Sequence, residues 1–242
     1  MGQHGQYRAL VAAGFCAVSP AAGQAECRLA LLLAIDVSAS VDVEEDLLQR
    51  GGLAAALLAP EVVEAFLADP SDPVVLGAYE WSGRFAQDVI LWWKRIETAE
   101  DLAEVAGAIG LSKRGRDDLP TAIGDALGYG ASLFHKGPDC MARTLDVAGD
   151  GVGNDGFPPW AAYRAGRLDG VVVNGLAIQG GEQDVAAYYR EEVIRGPGSF
   201  VIEAQGFGDY ERAMREKLFR ELSGMAVSTL RLFALPGGPA YR

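Results

Sequence analysis

The chain has 242 residues, 50% of them hydrophobic and 22% charged, which excludes a disordered, collagenous or fibrous protein. Aspartate plus glutamate number 33 against 21 lysines plus arginines, a formal charge of −12, so a nucleic-acid backbone finds no basic face to bind. No apolar run reaches the roughly 18 residues that a membrane span requires.

Residues 1–25 read as a secretory signal peptide: Arg8, the apolar stretch Ala9 to Val18, Ser19-Pro20, and small residues ending at Ala25. The mature chain would then be periplasmic or secreted. Phe15 and Glu26 precede Cys16 and Cys27, so neither cysteine sits in a lipoprotein-type signal. Leu29 to Ile35 is a continuous apolar run, as for a central parallel strand covered on both faces. Asp42 to Leu58 predicts a helix with acids in its first turn, ended with the help of Pro60. Val74 to Trp81 and Phe85 to Trp93 predict two strands joined at Ser82-Gly83-Arg84, short enough for an antiparallel hairpin. Helices follow at Glu100 to Ile109 and Thr121 to His135, then a short strand at Thr144 to Ala148. Next come helix Pro159 to Leu168, strand Val171 to Ile178, helix Val185 to Val193, strand Ser199 to Ala204 and helix Asp209 to Leu222. A weak strand signal covers Val227 to Phe233 in a tail over 225–242. With no repeat or linker, the expectation is one α/β domain over 26–224, a doubly wound, mostly parallel sheet with one antiparallel edge strand and helices on both faces.

In such sheets ligands collect beyond the carboxyl ends of the strands. Three polar sets fall there: Asp36-Val37-Ser38-Ala39-Ser40, Thr121 at a helix opening, and Asp150 in Ala148-Gly149-Asp150-Gly151. Two carboxylates and three hydroxyls are all oxygen donors, a shell for Mg²⁺ or Mn²⁺ rather than Zn²⁺ or copper. Hydroxyl ligands leave such an ion an appetite for one more anionic oxygen, which a partner's carboxylate could supply. The plain alternative makes Ser38 and Ser40 caps of the following helix and Asp150 a turn residue.

The set resembles the metal-ion-dependent adhesion site (MIDAS) of von Willebrand factor A domains: Asp-x-Ser-x-Ser, a distant Thr, then an Asp after a later strand. The resemblance implies Asp36, Ser38, Ser40, Thr121 and Asp150 as metal ligands, a mostly parallel sheet with one antiparallel edge strand, and a protein partner presenting an acidic side chain. It extends over roughly Leu29 to Leu222. Cys27-Arg28-Leu29-Ala30 and Glu80-Trp81-Ser82-Gly83 look most like a bacterial group of exported proteins with this domain alone, a match that implies no activity.

Once the leader is gone, Cys27 and Cys140 remain, an even pair that in an oxidising compartment suggests a disulfide, the alternative being two separate buried thiols. Cys27 stands nine residues before Asp36 and Cys140 ten before Asp150. If the aspartates meet at the carboxyl ends of adjacent parallel strands, the cysteines meet at the other ends. Trp81 and Trp160 are placed near the metal-bearing rim, as partner contacts or as core. His135, at a helix end, suits a dipole-friendly cap. A competing function starts from Gly149-Asp150-Gly151-Val152-Gly153-Asn154-Asp155, similar to the acidic loop of haloacid-dehalogenase-type, Mg²⁺-dependent phosphohydrolases. Their Asp-x-Asp motif would need a carboxylate where Ser38 stands. A third possibility is a site that only stabilises the fold.

Overall fold

The computed structural model describes residues 27–233, with side-chain surroundings as far as Gly224. The expected signal peptide and the last nine residues of the tail lie outside the described residues. Six strands form one sheet: β1 Cys27–Asp36, β2 Val74–Trp81, β3 Gln87–Ile96, β4 Cys140–Gly149, β5 Val171–Gln179 and β6 Val201–Gln205, in the spatial order β3-β2-β1-β4-β5-β6. Only the β2–β3 edge pair is antiparallel, as the short turn after Trp81 requires.

β1 is buried along its whole length, which is why it reads as an unbroken apolar run. Leu29, Leu31, Leu33 and Ile35 face a layer made by α1 Val43–Leu57, α2 Pro60–Phe66, α3 Ala99–Gly110 and α7 Tyr210–Phe233. Ala30, Leu32 and Ala34 face the opposite layer, α4 Ile123–His135, α5 Pro159–Arg164 and α6 Val185–Tyr188. β1 and β4 keep a constant register from Cys27↔Cys140 to Ile35↔Ala148, so Asp36 ends its strand while Asp150 stands just past Gly149. The one-residue difference in spacing is therefore taken up after the sheet, and Cys27 and Cys140 are joined in a disulfide at the amino ends of the two strands.

Several elements differ from expectation for local reasons. Pro60 does not end a helix; it opens α2, where its missing N–H would have had no partner anyway. β4 runs ten residues rather than five. The helix expected to Leu168 stops at Arg164, and the one expected to Val193 becomes a π-helical turn from Tyr189. Val227 to Phe233 is not a strand but the end of α7, because extending an existing helix avoids the cost of nucleating a new element. The helix-cap alternative for Ser38 and Ser40 fails as well: Asp42 caps α1, with Glu45 completing a capping box.

The β2–β3 turn holds one non-glycine residue at positive φ, Phe85 at 62°, with its side chain 94% exposed. A bulky L-residue pays about 1–2 kcal/mol there. Phe85→Gly is expected to raise stability by about 1 kcal/mol, measured as a higher urea midpoint; an unchanged or lower midpoint would show that the turn carries no such strain.

Candidate functional site

The carboxyl edge of the sheet brings the five expected residues together. Asp36 closes β1, Ser38 and Ser40 lie in the turn to α1, Thr121 stands two residues before α4, and Asp150 follows β4. Ser38 Oγ and Ser40 Oγ are 3.2 Å apart, and Thr121 Oγ1 donates to Ser38 Oγ at 3.3 Å. Ser40 Oγ donates to Asp150 Oδ1 at 2.8 Å, across 110 residues of sequence. Asp36 Oδ1 accepts the Ser38 N–H at 2.8 Å, whereas its Oδ2 is buried with no hydrogen-bond partner. Asp36 and Ser38 are fully buried, Thr121 nearly so, and Ser40 is exposed, so the cluster opens to solvent at one end.

Burial pushes the Asp36 carboxyl up to about 7; the nearby Asp150 adds to this, while the Ser38 bonds and Arg114 pull the other way. Asp150 is raised too, mainly by burial and against the Ser40 bond. Two carboxylates that each resist ionisation beside one another are what a bound cation would relieve. Among the described residues no three of His, Cys, Asp and Glu gather as a metal cluster. The donor set is two carboxylates with hydroxyls, which fits a hard, oxygen-seeking divalent ion.

Neighbouring loops hold these groups in place. The Arg114 guanidinium donates to the carbonyls of Val37, Ser38 and Val41 at 3.0, 2.8 and 2.6 Å, pinning the turn from three sides. Gln49 Nε2 donates to the Asp36 carbonyl at 2.8 Å, and Ala39 N donates to Leu119 O at 2.8 Å. Asn154 fixes Thr121 twice, accepting its N–H at 2.9 Å through Oδ1 and donating its own N–H to the Thr121 carbonyl at 2.9 Å. Asp155 is paired with Arg84 at 2.7 Å. The acidic-looking loop after β4 thus supports the edge structurally at Asn154 and Asp155.

Trp81 reaches the rim with its backbone alone, paired in register with Asp36 and accepting the Val37 N–H at 2.8 Å. It is fully buried at the end of β2, packed in the core with Ala34 and Val147, because its strand position points it under α4 rather than outward. Trp160 is half exposed, but it opens on a cleft with Tyr163, Arg164, Leu168, Asp169 and Arg195, none of them in the three loops above. Three residues escaped the sequence. Arg114 stands in a run of ordinary surface charges. Phe85 sits where a turn favours glycine, two residues from Gly83, whose position abuts Leu119 and Pro120. Tyr189, in the π-helical turn, is fully buried with its hydroxyl unpartnered; a methyl at Gly149 would lie 2.6 Å from Tyr189 Oη and 2.8 Å from Asp36 Oδ2. The absence of a side chain at Gly149 therefore makes room for both of these oxygens. None of the three carries a local signal: even the π-turn reads in the sequence as ordinary helix.

Solved structures share this architecture. Proximal thread matrix protein 1 from the mussel byssus, in a form with a zinc-occupied MIDAS motif, aligns with TM-score 0.61 and 17% identity, covering 83% of this chain and 49% of that one. A von Willebrand factor type A protein from Catenulispora acidiphila aligns with TM-score 0.57 and 17% identity, covering 81% and 43%. The pilus adhesin SpaC from Lactobacillus rhamnosus GG aligns with TM-score 0.59 and 14% identity, covering 84% and 31%. The chain thus spans about half the length of the mussel protein. Among curated proteins none matches. The fold is that of von Willebrand A domains, and, with residues 26–226 matched, the chain belongs to the family described as "Protein of unknown function (DUF1194)".

Proposed function

We propose that the chain is an exported binding module in which Asp36, Ser38, Ser40, Thr121 and Asp150 hold a divalent cation, Mg²⁺ or Mn²⁺, and the cation takes a carboxylate from a protein partner. The observation that carries this reading is the buried Asp36 Oδ2 left without a partner beside four linked oxygen-bearing side chains from three separate loops. A buried carboxylate oxygen without a donor is costly, and a cation removes the cost. Five protein oxygens fall one short of the six that Mg²⁺ prefers, which leaves a place for the partner's oxygen. The zinc-occupied motif of the mussel protein supports a divalent ion at this edge of the fold. The Cys27–Cys140 disulfide supports an oxidising compartment, periplasmic or extracellular. Phe85, exposed on the turn beside the Thr121 loop, is placed to add apolar contact with the partner.

The phosphohydrolase alternative needs a proton-donating carboxyl at position 38, and the group there is a hydroxyl engaged with Ser40 and Thr121. Calorimetric titration with Mg²⁺ and Mn²⁺ tests the metal assignment. Asp36→Ala and Asp150→Ala are each expected to abolish the isotherm with little change in melting temperature; unchanged affinity in both would overturn it. Turnover of phosphomonoesters that disappears in Asp36→Asn would replace the binding module with the enzyme.

A further inference from the structure

Cations are scarce in a chain of charge −12, and most of the described ones are engaged. They meet carboxylates, backbone carbonyls or aromatic rings, as Arg50, Arg114 and Arg195 do. Among the residues whose side-chain surroundings are described, as far as Gly224, only Lys113, Lys136, Arg143 and Arg167 make no such contact. Three of these four line one cleft of about 430 Å³, together with Ser132, Phe134 and His135, and no carboxylate lines it.

The gathering is not explained by local structure. His135 and Lys136 end α4, where positive charge complements the helix dipole. Arg143 comes from β4 and Arg167 from the turn before β5, so neither serves that helix end. Like charges drawn together from three segments repel, at a cost that a bound anion reverses. The cleft's volume is in the range of small-ligand sites, and its floor is partly apolar through Phe134. Arg143 also lies near the amino end of β4, roughly 20 Å along the strand from Gly149 at 3.3 Å per residue, so the cleft is separate from the cation edge.

We infer that this cleft binds a phosphate ester, with the guanidinium groups of Arg143 and Arg167 and the Lys136 ammonium taking the phosphate. A planar guanidinium presents paired donors that match phosphate oxygens, which two free arginines on facing segments can use together. The ester has two possible sources, a soluble phosphomonoester or the headgroup of an anionic phospholipid.

The purified chain is titrated with glycerol 3-phosphate by calorimetry and sedimented with phosphatidylglycerol vesicles, each at low and high salt. Saturable binding to at least one probe is expected, weakening as salt rises. Binding to glycerol 3-phosphate assigns the soluble source, and binding to vesicles alone assigns the headgroup. The double variant Arg143→Gln/Arg167→Gln is expected to bind at least about tenfold more weakly with its melting temperature kept. Lys113→Gln, which alters the free lysine outside the cleft, is expected to bind as the wild type does. Asp150→Ala is also expected to bind unchanged, which keeps the outcome independent of the metal assignment. Binding to neither probe, or equal affinity in the double variant, overturns the inference; the single variant Arg167→Gln, in an exposed turn, decides the matter if the double variant fails to fold.

Discussion

Lys217→Met is expected to destabilise the domain by about 3–5 kcal/mol, a drop of the order of 10 °C in melting temperature. Lys217 is fully buried in α7, where its ammonium meets Asp146 Oδ1 on β4 and donates to Glu221 Oε1 at 2.9 Å. Asn174 Nδ2 donates to the same Glu221 oxygen at 2.7 Å and accepts the Phe200 N–H at 3.1 Å through Oδ1. Removing the ammonium leaves two acids facing each other in the core. Asp146→Asn is the informative contrast. Burial, and after it Glu221, push the Asp146 carboxyl up to about 7 against the pull of Lys217, so two acids share one ammonium and the second negative charge is unwelcome. The asparagine variant should therefore stay within about 1 kcal/mol of wild type at pH 7. Because the folded state holds a proton that the unfolded aspartate releases near pH 4, this group withdraws stability as pH rises from about 4 to about 7. Urea midpoints across that window should fall less steeply in Asp146→Asn. A Lys217→Met cost below about 1 kcal/mol would mean that the cluster is hydrated and not the anchor of α7.

Loss of the disulfide is expected to have a comparable effect. The bridge closes a span of 113 residues, and a loop of about that length restricts the unfolded chain by roughly 4–5 kcal/mol in the loop-entropy picture. Cys27→Ser/Cys140→Ser should lower stability by about 2–5 kcal/mol, and reductant should bring the wild type down to the same midpoint without further affecting the variant. Equal midpoints for oxidised wild type and the double variant would show that the bridge contributes nothing.

The sequence was most legible where one physical constraint acted alone. A strand covered on both faces must be apolar throughout, so β1 and its terminal Asp36 stood out, and the spacing of two cysteines from two aspartates anticipated a register that holds from Cys27 to Ile35. The three loops at the sheet edge were visible because each follows or precedes a strongly patterned element. Legibility failed where tertiary packing overrode local pattern. Lys217 shares a helical face with Ala213, Met214 and Leu218, a positional hint of burial that its charge concealed. Trp81 ends a strand yet points into the core. Arg114 acts through backbone carbonyls that no sequence pattern names. Val227 to Phe233 has β-branched and aromatic residues but continues a helix already formed.

The strand order has a consequence in time. β1 pairs with β4, a segment made more than a hundred residues later, so the two central strands cannot meet until most of the domain exists. Asp36 and Asp150 stand more than a hundred residues apart in the chain, and the edge that unites them is completed only when β4 docks beside β1. On the proposed metal assignment, cation affinity at this edge reports that the domain's long-range pairing is finished, so the same titration that tests the site also follows folding.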